Sequence, residues 1–309
     1  MTIQRVAVVG TGVIGASWAA HFLAHGLDVV ATDPADGAED RVREAVGAHW
    51  PGLRPVGGAS LDRLTFSPDL ADAVAGADFV QENGPERLDL KRELLRTLDA
   101  TTPVRTVIAS SSSGLLPSDL QDACDEHPER VLVGHPFHPP HLIPLVEVVG
   151  GRRTAEVAIE RAMGFYREVG KRPVRIRREL PGHLANRLQA ALWREAYSLV
   201  EQGAATVADI DTAIAYGPGL RWALLGPFAS QHLSGGAGGL AHVLEHLGPP
   251  TAEWWKTMTT PELTPELVAA LVAGVDAELA GVDTAAMVAQ RDAILTRLLA
   301  AKADAPDLP

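Results

Sequence analysis

The sequence predicts an α/β fold, in which an N-terminal domain built on a parallel sheet precedes a C-terminal domain that is entirely helical. Short apolar runs of strand character alternate with helical stretches over the first half of the chain. These runs are apolar on both faces, which is typical of parallel strands covered by helices on each side. After Pro181-Gly182 the strand signals end and an Ala/Leu-rich helical periodicity follows. A length of 309 residues allows two domains, which we place at residues 1–180 and 181–309.

Seven runs are predicted as strands of the first domain, because they are short, apolar and rich in β-branched residues. They cover residues 5–9, 28–32, 78–81, 106–109, 130–133, 145–149 and 174–177. Residues 51–67 contain several glycines and prolines, so this segment is predicted to be a loop.

The second domain shows helix boundaries rather than strands. A long helix is predicted over residues 183–202, ended by Gly203. Thr206 and Asp209 have the spacing of a capping box, and Thr264 before Pro265 is typical of a helix start. Residues 267–299 are too rich in Ala, Leu and Val to stay bare on a small domain, which predicts a homodimer.

Composition and charge exclude several classes of protein. A formal net charge of −12 opposes binding to nucleic acid or to anionic membranes. The first residues lack the pattern of a signal peptide, and no apolar run is long enough to cross a bilayer. Cys124 is the single cysteine, so no intramolecular disulfide can form. We therefore expect a cytoplasmic protein without a nucleic-acid or membrane partner.

A glycine motif, GTGVIG, directly follows the first predicted strand and opens a helix. In this position the first glycine forms the tight turn, the second admits a pyrophosphate, and the third lets the helix pack on the strand. The N-terminus of the helix supplies N–H groups and partial positive charge to phosphates. This arrangement predicts a dinucleotide-binding domain of Rossmann type. The expected contacts from this motif are Gly10, Gly12, Val13, Ile14 and Gly15.

Asp33 ends the second predicted strand, 18 residues after Gly15. There its carboxylate can accept hydrogen bonds from both ribose hydroxyls and would repel a 2′-phosphate. The sequence therefore favours NAD over NADP as the cofactor. The alternative interpretation is an ordinary Gly-rich turn with a surface aspartate, which the register of strand, glycines, helix and acid disfavours.

A histidine and a glutamate flank a proline-rich return between two predicted strands. His135 closes one strand, and Glu147 lies 12 residues later inside the next apolar run. A glutamate in an apolar run is costly unless it is paired, and a neighbouring carboxylate would fix the tautomer of an imidazole. We therefore expect His135 to act as a general base and Glu147 to be its partner.

Two other interpretations of this segment stay open. His135, His138 and His141 lie three residues apart, a spacing that also suggests a metal site. Prolines break any helix that would align the three side chains and no thiolate joins them, so we favour the reading without a metal. Each histidine could instead be structural.

Two further segments carry polar groups at places where a ligand could bind. The sequence ASSSSG at residues 109–114 directly follows a predicted strand, where ligands bind in open α/β sheets. It could equally be a serine-rich turn. The sequence PGHLANR places Asn186 near the start of the long helix, where its amide could reach a substrate or could bond to backbone at the domain junction.

Taken together, these motifs and Gly226-Pro227-Phe228 resemble the 3-hydroxyacyl-CoA dehydrogenase superfamily over nearly the whole chain. The resemblance implies a Rossmann domain, a helical domain that usually dimerises, and hydride transfer to NAD. It implies a His135–Glu147 dyad, with Ser113 and Asn186 holding the substrate oxygen. It also implies cofactor contacts from Glu82, Lys91 and Ser111. His138 replaces an asparagine that is common in the family.

Within the superfamily the chain is similar to the L-carnitine dehydrogenase and λ-crystallin/L-gulonate 3-dehydrogenase branches. The matching segments are residues 81–91, 183–195 and 216–222, and the stretch at residues 34–44 lacks the lysine cluster of CoA-using members. A small L-3-hydroxy acid is therefore the expected substrate. The expected substrate contacts are Trp193, Trp222 and Phe228, whose aromatic faces suit a quaternary ammonium, and Arg194 for a carboxylate.

Three alternatives to a carnitine dehydrogenase remain at this stage. They are a 3-hydroxyacyl-CoA dehydrogenase, an L-gulonate 3-dehydrogenase, and a non-catalytic NAD-binding protein like a crystallin. The complete set of Ser113, His135, Glu147 and Asn186 argues against the last of these.

Overall fold

A computed structural model of the chain describes residues 3–308. The chain divides into two compact units, one up to Arg187 and one from Leu188 onwards. The first unit contains all the strands assigned within the described residues, and the assigned elements of the second are helices. The predicted fold class is confirmed.

The first unit is built on one sheet of eight strands in the order β3-β2-β1-β4-β5-β6-β7-β8. All neighbouring strands are parallel except β6 and β7, which are antiparallel. The strands are Arg5–Val9 (β1), Asp28–Thr32 (β2), Leu64–Phe66 (β3), Phe79–Glu82 (β4), Val107–Ser110 (β5), Val131–Pro136 (β6), Leu145–Gly150 (β7) and Arg172–Ile176 (β8).

All seven predicted strands are present, with small differences at their ends. The segment predicted to be a loop contains the eighth strand, β3, so that prediction was wrong for three residues. β3 pairs with β2 from Val29 opposite Leu64 to Ala31 opposite Phe66. A run of three residues is too short to show the alternating pattern that predicts a strand. Its strand conformation depends instead on pairing with the neighbouring strand β2.

Helices cover both faces of this sheet. They are Val13–Ala24 (α1), Ala38–His49 (α2), Leu70–Val74 (α3), Leu88–Thr101 (α4), Pro117–Gln121 (α5) and Glu156–Glu168 (α6). On one face, α1, α2 and α6 contribute a core that includes the buried rings of Trp18, Phe22 and Phe165. On the other face, α3, α4 and α5 contribute a second core around Leu95 and Leu98. The double cover explains why the strands are apolar on both sides.

The long predicted helix is α7, Ala185–Glu201, which begins in the first unit and continues into the second. The other helices are Val207–Tyr216 (α8), Pro218–Trp222 (α9), Pro227–Ser234 (α10), Gly239–Thr257 (α11), Pro265–Glu278 (α12) and Thr284–Ala303 (α13). Thr206 and Asp209 form the predicted capping box of α8, and the Thr264 side chain caps α12. Within the described chain, no helix has the length and hydropathy needed to span a membrane.

The second unit buries few of its side chains. Among residues 188–308, only Ser198, Gly239 and Leu267 are classed as buried. Large apolar side chains are exposed instead, including Tyr216 at 81% and Phe228 at 73%.

Candidate active site

The glycine motif forms the turn between β1 and α1. Gly10 adopts a left-handed φ of 84°, and a Cβ at Gly15 would collide with the carbonyl of Gly10. A Cβ at Gly12, the N-cap of α1, would meet no atom within 4 Å, so the space before the helix is open. The turn therefore has the tight bend, the open approach and the close helix packing that a dinucleotide phosphate site requires. Val13, the first residue of α1, is exposed, and Ile14 is partly buried.

A cavity of about 650 Å³ lies beside this turn. Its lining includes Gly10, Gly12, Asp33, Asn83 and Leu94. One oxygen of Asp33 accepts hydrogen bonds from the backbone N–H of Thr11 at 2.8 Å and from its hydroxyl at 3.1 Å. The position of this carboxylate at the cavity edge, with the open glycine turn, fits the ribose and pyrophosphate of NAD.

Glu82 and Lys91 form a buried ion pair at the end of β4. The Lys91 Nζ lies 2.9 and 3.0 Å from the two carboxylate oxygens of Glu82 and also donates to the carbonyl of Gly84. Ser110 Oγ donates to Glu82 as well, at 2.5 Å. Because both charged side chains are almost wholly buried, they hold the chain after β4 in place. Their role as cofactor contacts stays a prediction.

Ser111 belongs to a polar chain at the same edge of the sheet. Its hydroxyl donates to Asn83 Oδ1 at 2.7 Å and accepts from Gln81 Nε2 at 2.8 Å. Asn83 lines the cavity, so Ser111 contacts a residue of the cavity wall.

Glu86 organises the serine-rich segment that follows β5. One carboxylate oxygen accepts from Ser112 Oγ at 2.7 Å and from the backbone N–H groups of Ser113 and Gly114, both at 2.9 Å. Burial would raise the pKa of Glu86, but hydrogen bonds from Ser112 and Gly114, together with the nearby charge of Lys91, outweigh it and lower the pKa. Sequence reasoning missed this residue, because one acid among several in a loop carries no signal until the loop contacts are known.

Ser113 is exposed, and its hydroxyl makes no hydrogen bond to any residue between 3 and 308. Glu86 fixes its backbone while leaving the hydroxyl free to donate. This is the arrangement that a contact to a substrate oxygen requires.

His135 and Glu147 lie directly opposite each other on the antiparallel strands β6 and β7. His135 Nδ1 and one Glu147 oxygen are 2.8 Å apart, and both side chains are buried. The other Glu147 oxygen accepts from the backbone N–H groups of Leu184 and Ala185, at 2.8 and 2.9 Å. Burial would raise the pKa of Glu147, but the hydrogen bonds from His135 and these two N–H groups lower it.

The ionised carboxylate of Glu147 makes Nδ1 of His135 the donor. The Nε2 lone pair of His135 then remains as the proton acceptor, and no described residue bonds to it. The expected pairing is thus found, with the polarity that a general base needs.

The proline-rich return between the two strands is held by Lys171. Its ammonium donates to the carbonyls of Pro140 and Ile143, and burial lowers the pKa of Lys171 to about 7. Nδ1 of His141 lies 2.8 Å from Ser17 Oγ. Among the described residues, the structure does not bring His135, His138 and His141 together as a possible set of metal ligands.

Asn186 is the second residue of α7, directly after the Ala185 N–H that holds Glu147. Its side-chain amide makes no hydrogen bond to a described residue, and its contact with a substrate oxygen stays a prediction. The dyad, Ser113 and Asn186 are all carried by the first unit.

The predicted substrate contacts of the second unit lie in different places. Trp193 and Tyr197 line a cavity of about 410 Å³ together with the carboxylates Asp211 and Asp276. A separate cavity of about 510 Å³ is lined by Trp222, Phe228 and Arg221, among others. Arg194 is exposed and lines neither cavity.

Comparison with known proteins agrees with this geometry. Residues 5–180 match the model of the 3-hydroxyacyl-CoA dehydrogenase NAD binding domain, and residues 182–278 match that of the 3-hydroxyacyl-CoA dehydrogenase C-terminal domain. The L-carnitine dehydrogenase of Streptomyces griseus is 55% identical over 94% of this chain and 87% of its own length. That of Streptomyces coelicolor is 53% identical over 97% of this chain and 95% of its own.

A solved structure covers nearly the whole chain as well. The NAD⁺-dependent dismutase 5-formyl-3-hydroxy-2-methylpyridine 4-carboxylic acid 5-dehydrogenase superposes with a TM-score of 0.84 at 29% identity. The match covers 97% of this chain and 99% of that one.

Proposed function

The chain belongs to the 3-hydroxyacyl-CoA dehydrogenase family, and we propose that it oxidises the secondary alcohol of L-carnitine to the 3-oxo acid with NAD. The observation that carries the chemistry is the buried pair of His135 and Glu147, whose remaining imidazole nitrogen is open to a substrate. The choice of substrate is supported by the identity of about one half to two L-carnitine dehydrogenases.

The catalytic roles follow from the hydrogen bonds of each group. His135 Nε2 accepts the hydroxyl proton of the substrate, and the charge of Glu147 stabilises the imidazolium that results. The Ser113 hydroxyl and the Asn186 amide donate to the oxygen as it becomes a carbonyl. NAD, when bound, supplies the hydride acceptor for the carbon that carries this oxygen.

The charges after β2 support a small substrate rather than a CoA thioester. Arg41 donates to the backbone carbonyl of Asp36, and Arg43 is paired with Glu39 at 2.7 Å on α2. The two arginines of this helix are therefore already engaged, and acidic residues surround them. Few unpaired positively charged side chains therefore remain on α2 to bind the phosphates of CoA.

Aromatic residues of the second unit are the proposed partners of the trimethylammonium group. Trp193 shares its cavity with one further aromatic ring and two carboxylates, groups that attract a quaternary ammonium. Trp222 and Phe228 offer a second exposed aromatic surface.

We further propose a cytoplasmic homodimer. The large exposed apolar side chains of the second unit support a dimer, because surfaces of this kind usually pack against a partner. A single buried cysteine and the absence of a disulfide within residues 3–308 suit a reducing compartment.

A substrate panel tests the function. Purified protein is supplied with NAD and, in turn, L-carnitine, L-gulonate and 3-hydroxybutyryl-CoA, and NADH is followed by its absorbance. L-carnitine should give the highest kcat/KM. A higher value with either of the other two substrates would reassign the enzyme within its family. If none of the three substrates gives NADH, the result would favour a non-catalytic NAD-binding protein.

His135→Ala is the matched variant for that panel. Its kcat should fall by about 10²- to 10⁴-fold, because a general base in the transition state contributes that much. Its affinity for NAD and its thermal stability should stay near those of the wild type. Near-normal turnover would overturn the assignment of the base and direct attention to His138.

A further inference from the structure

A second imidazole, His183, lies against the dyad. Its ring centroid is 5.2 Å from that of His135, with an angle of 44° between the planes. We propose that His183 is a positioning residue, a neutral imidazole that joins the serine-rich segment to the general base. The inference rests on the proposed dehydrogenase function and adds to it a residue outside the four expected at the reaction site.

The backbone at His183 adopts a conformation that is uncommon for its type. His183 has a φ of 53°, and it is the one non-glycine residue with a positive φ among residues 3–308. Its N–H donates to the carbonyl of Leu180, which closes a turn just before α7. The next two N–H groups, those of Leu184 and Ala185, bind Glu147. A strained backbone conformation of this kind persists where surrounding contacts impose it. Here those contacts include the hydrogen bonds from the next two residues to Glu147 of the dyad.

The side chain of His183 is wholly buried, and one of its nitrogens has a partner. Nε2 lies 3.1 Å from the carbonyl oxygen of Ser112, which can only accept, so Nε2 carries the proton. Nδ1 is buried and has no hydrogen-bond partner within the described chain. Protonation of Nδ1 would place an unpaired N–H in this position, so the geometry selects the neutral ring.

The groups facing His183 support the same protonation state. Burial lowers the pKa of His183 and the nearby His135 lowers it further, while the Ser112 carbonyl and the carboxylates Glu147 and Glu86 act in the opposite direction. Two imidazolium ions this close would repel each other strongly. The proton taken from a substrate therefore stays on His135, where Glu147 stabilises it.

His183 thus links three parts of the site. Its Nε2–H holds the backbone of the segment that carries Ser113, its ring contacts His135, and its turn presents the N–H groups that bind Glu147. Loss of the imidazole should allow these parts to shift relative to each other, which slows turnover more than it weakens binding.

Two substitutions test this in the full-length protein, with whichever 3-hydroxy acid the wild type oxidises. His183→Phe keeps a ring but removes the donor to Ser112, so kcat should fall by about 10- to 100-fold while the KM for NAD stays unchanged. His183→Asn keeps an N–H donor and tolerates positive φ, so it should recover a substantial part of kcat. Unchanged kcat in His183→Phe, or a loss that asparagine does not reduce, would overturn the proposal.

A second measurement does not depend on turnover. In ¹⁵N-histidine NMR, the signal absent from His183→Phe identifies His183, and its ring should stay in the neutral Nε2–H form to lower pH than the exposed His232 does. A His183 ring that becomes charged at the same pH as His232, or at a higher pH, would refute the neutral role. If the neutral ring is found but no 3-hydroxy acid is oxidised, the proposed function fails and the assignment of His183 as a neutral ring stands.

A separate cluster on α11 carries an independent inference. His242, Glu245 and His246 are exposed, and their ligand atoms all lie within 4.8 Å of one another. We infer that this cluster binds a divalent transition-metal ion of the zinc class. Imidazole nitrogens with a carboxylate oxygen are a donor set that such ions prefer, with water completing the coordination.

The helix orients the ligands for this role. His246 Nδ1 donates to the carbonyl of His242 at 3.0 Å, which leaves Nε2 of His246 as the free ligand atom. Positions 242, 245 and 246 share one side of a helix by their spacing. The apolar residues Val243 and Leu244 of the same helix line the cavity that contains Trp222, so the two features use different sides.

Titration calorimetry of the whole protein with zinc chloride tests this site. The wild type should bind one Zn²⁺ per chain at this site, and His246→Ala should lose that binding. The control is His127→Ala, a half-buried histidine of the first unit that should bind like the wild type. Equal binding by wild type and His246→Ala, or none by the wild type, would refute the inference.

Discussion

Glu147 is the residue on which the hydrogen bonds of the proposed reaction site converge. One of its oxygens orients His135, and the other is held by two backbone N–H groups at the start of α7. A buried acid with this many donors stays ionised, which is the state that stabilises an imidazolium. We therefore expect the residue to combine a structural and an electrostatic task.

Glu147→Gln separates these two tasks. The glutamine oxygen can still accept from the N–H groups of Leu184 and Ala185, but no negative charge remains beside His135. We expect kcat to fall on the order of 10²-fold or more. Turnover within twofold of the wild type would contradict this role.

Asp33 is the residue that should decide between NAD and NADP. Its carboxylate lines the cavity beside the glycine turn and is oriented by Thr11.

Asp33→Ala should weaken NAD binding by about 10- to 100-fold, the value of hydrogen bonds to a charged group, and narrow its lead over NADP. Fluorescence titration with each cofactor measures both effects. The control is Asp36→Ala, an exposed acid nearby that does not line the cavity and should bind both cofactors like the wild type. A wild type that prefers NADP would show that the ribose assignment is wrong.

At the scale of elements, the return between β6 and β7 depends on a single buried lysine. The Lys171 ammonium donates to two carbonyls of this return, and burial lowers its pKa from the ordinary 10.5 to about 7. Between these values the unfolded chain holds a proton that the folded chain has released. The free energy of unfolding therefore gains a contribution that rises with pH from about 7 to about 10.

Lys171→Met should remove that pH-dependent contribution. Compared with the variant, the wild type should gain stability at each step when urea denaturation is followed at increasing pH across this window. Lys256→Met, at an exposed lysine of α11, should keep the wild-type slope. A parallel pH dependence in wild type and Lys171→Met would show that the lysine does not titrate in this range.

At the scale of the whole molecule, the two units differ in how completely they are packed. The first unit has two cores, one on each face of the sheet. The second leaves apolar side chains such as Val272 and Val275 of α12 exposed. Since surfaces of this kind usually pack against a partner, they support the proposed homodimer.

Light scattering at working concentration should give twice the 32.7 kDa mass of one chain. Val272→Asp combined with Val275→Asp should shift the protein toward the monomer, because a charge on this face is costly to bury. Val104→Asp, at another exposed valine that lies in the first unit, should leave the mass unchanged. A monomeric wild type would refute the dimer.

Local patterns in the sequence were sufficient for the fold class, seven of the eight strands and the glycine turn. Each depends on neighbouring residues: apolar runs, glycines at fixed offsets, and caps such as Thr206 and Thr264. The spacing of His135 and Glu147 also predicted their pairing, because an antiparallel return brings the two strands into register.

Contacts between distant segments were beyond the reach of sequence reasoning. β3 exists because β2 lies beside it, and Glu86 matters because its loop folds over the serine segment after β5. His183 lies 48 residues after His135 in the sequence, and no local pattern specifies the turn that places the two rings side by side. Sequence determined which groups are candidates for the chemistry, whereas tertiary structure decided which of them touch, since hydrogen bonds and burial depend on the positions of segments far apart in the chain.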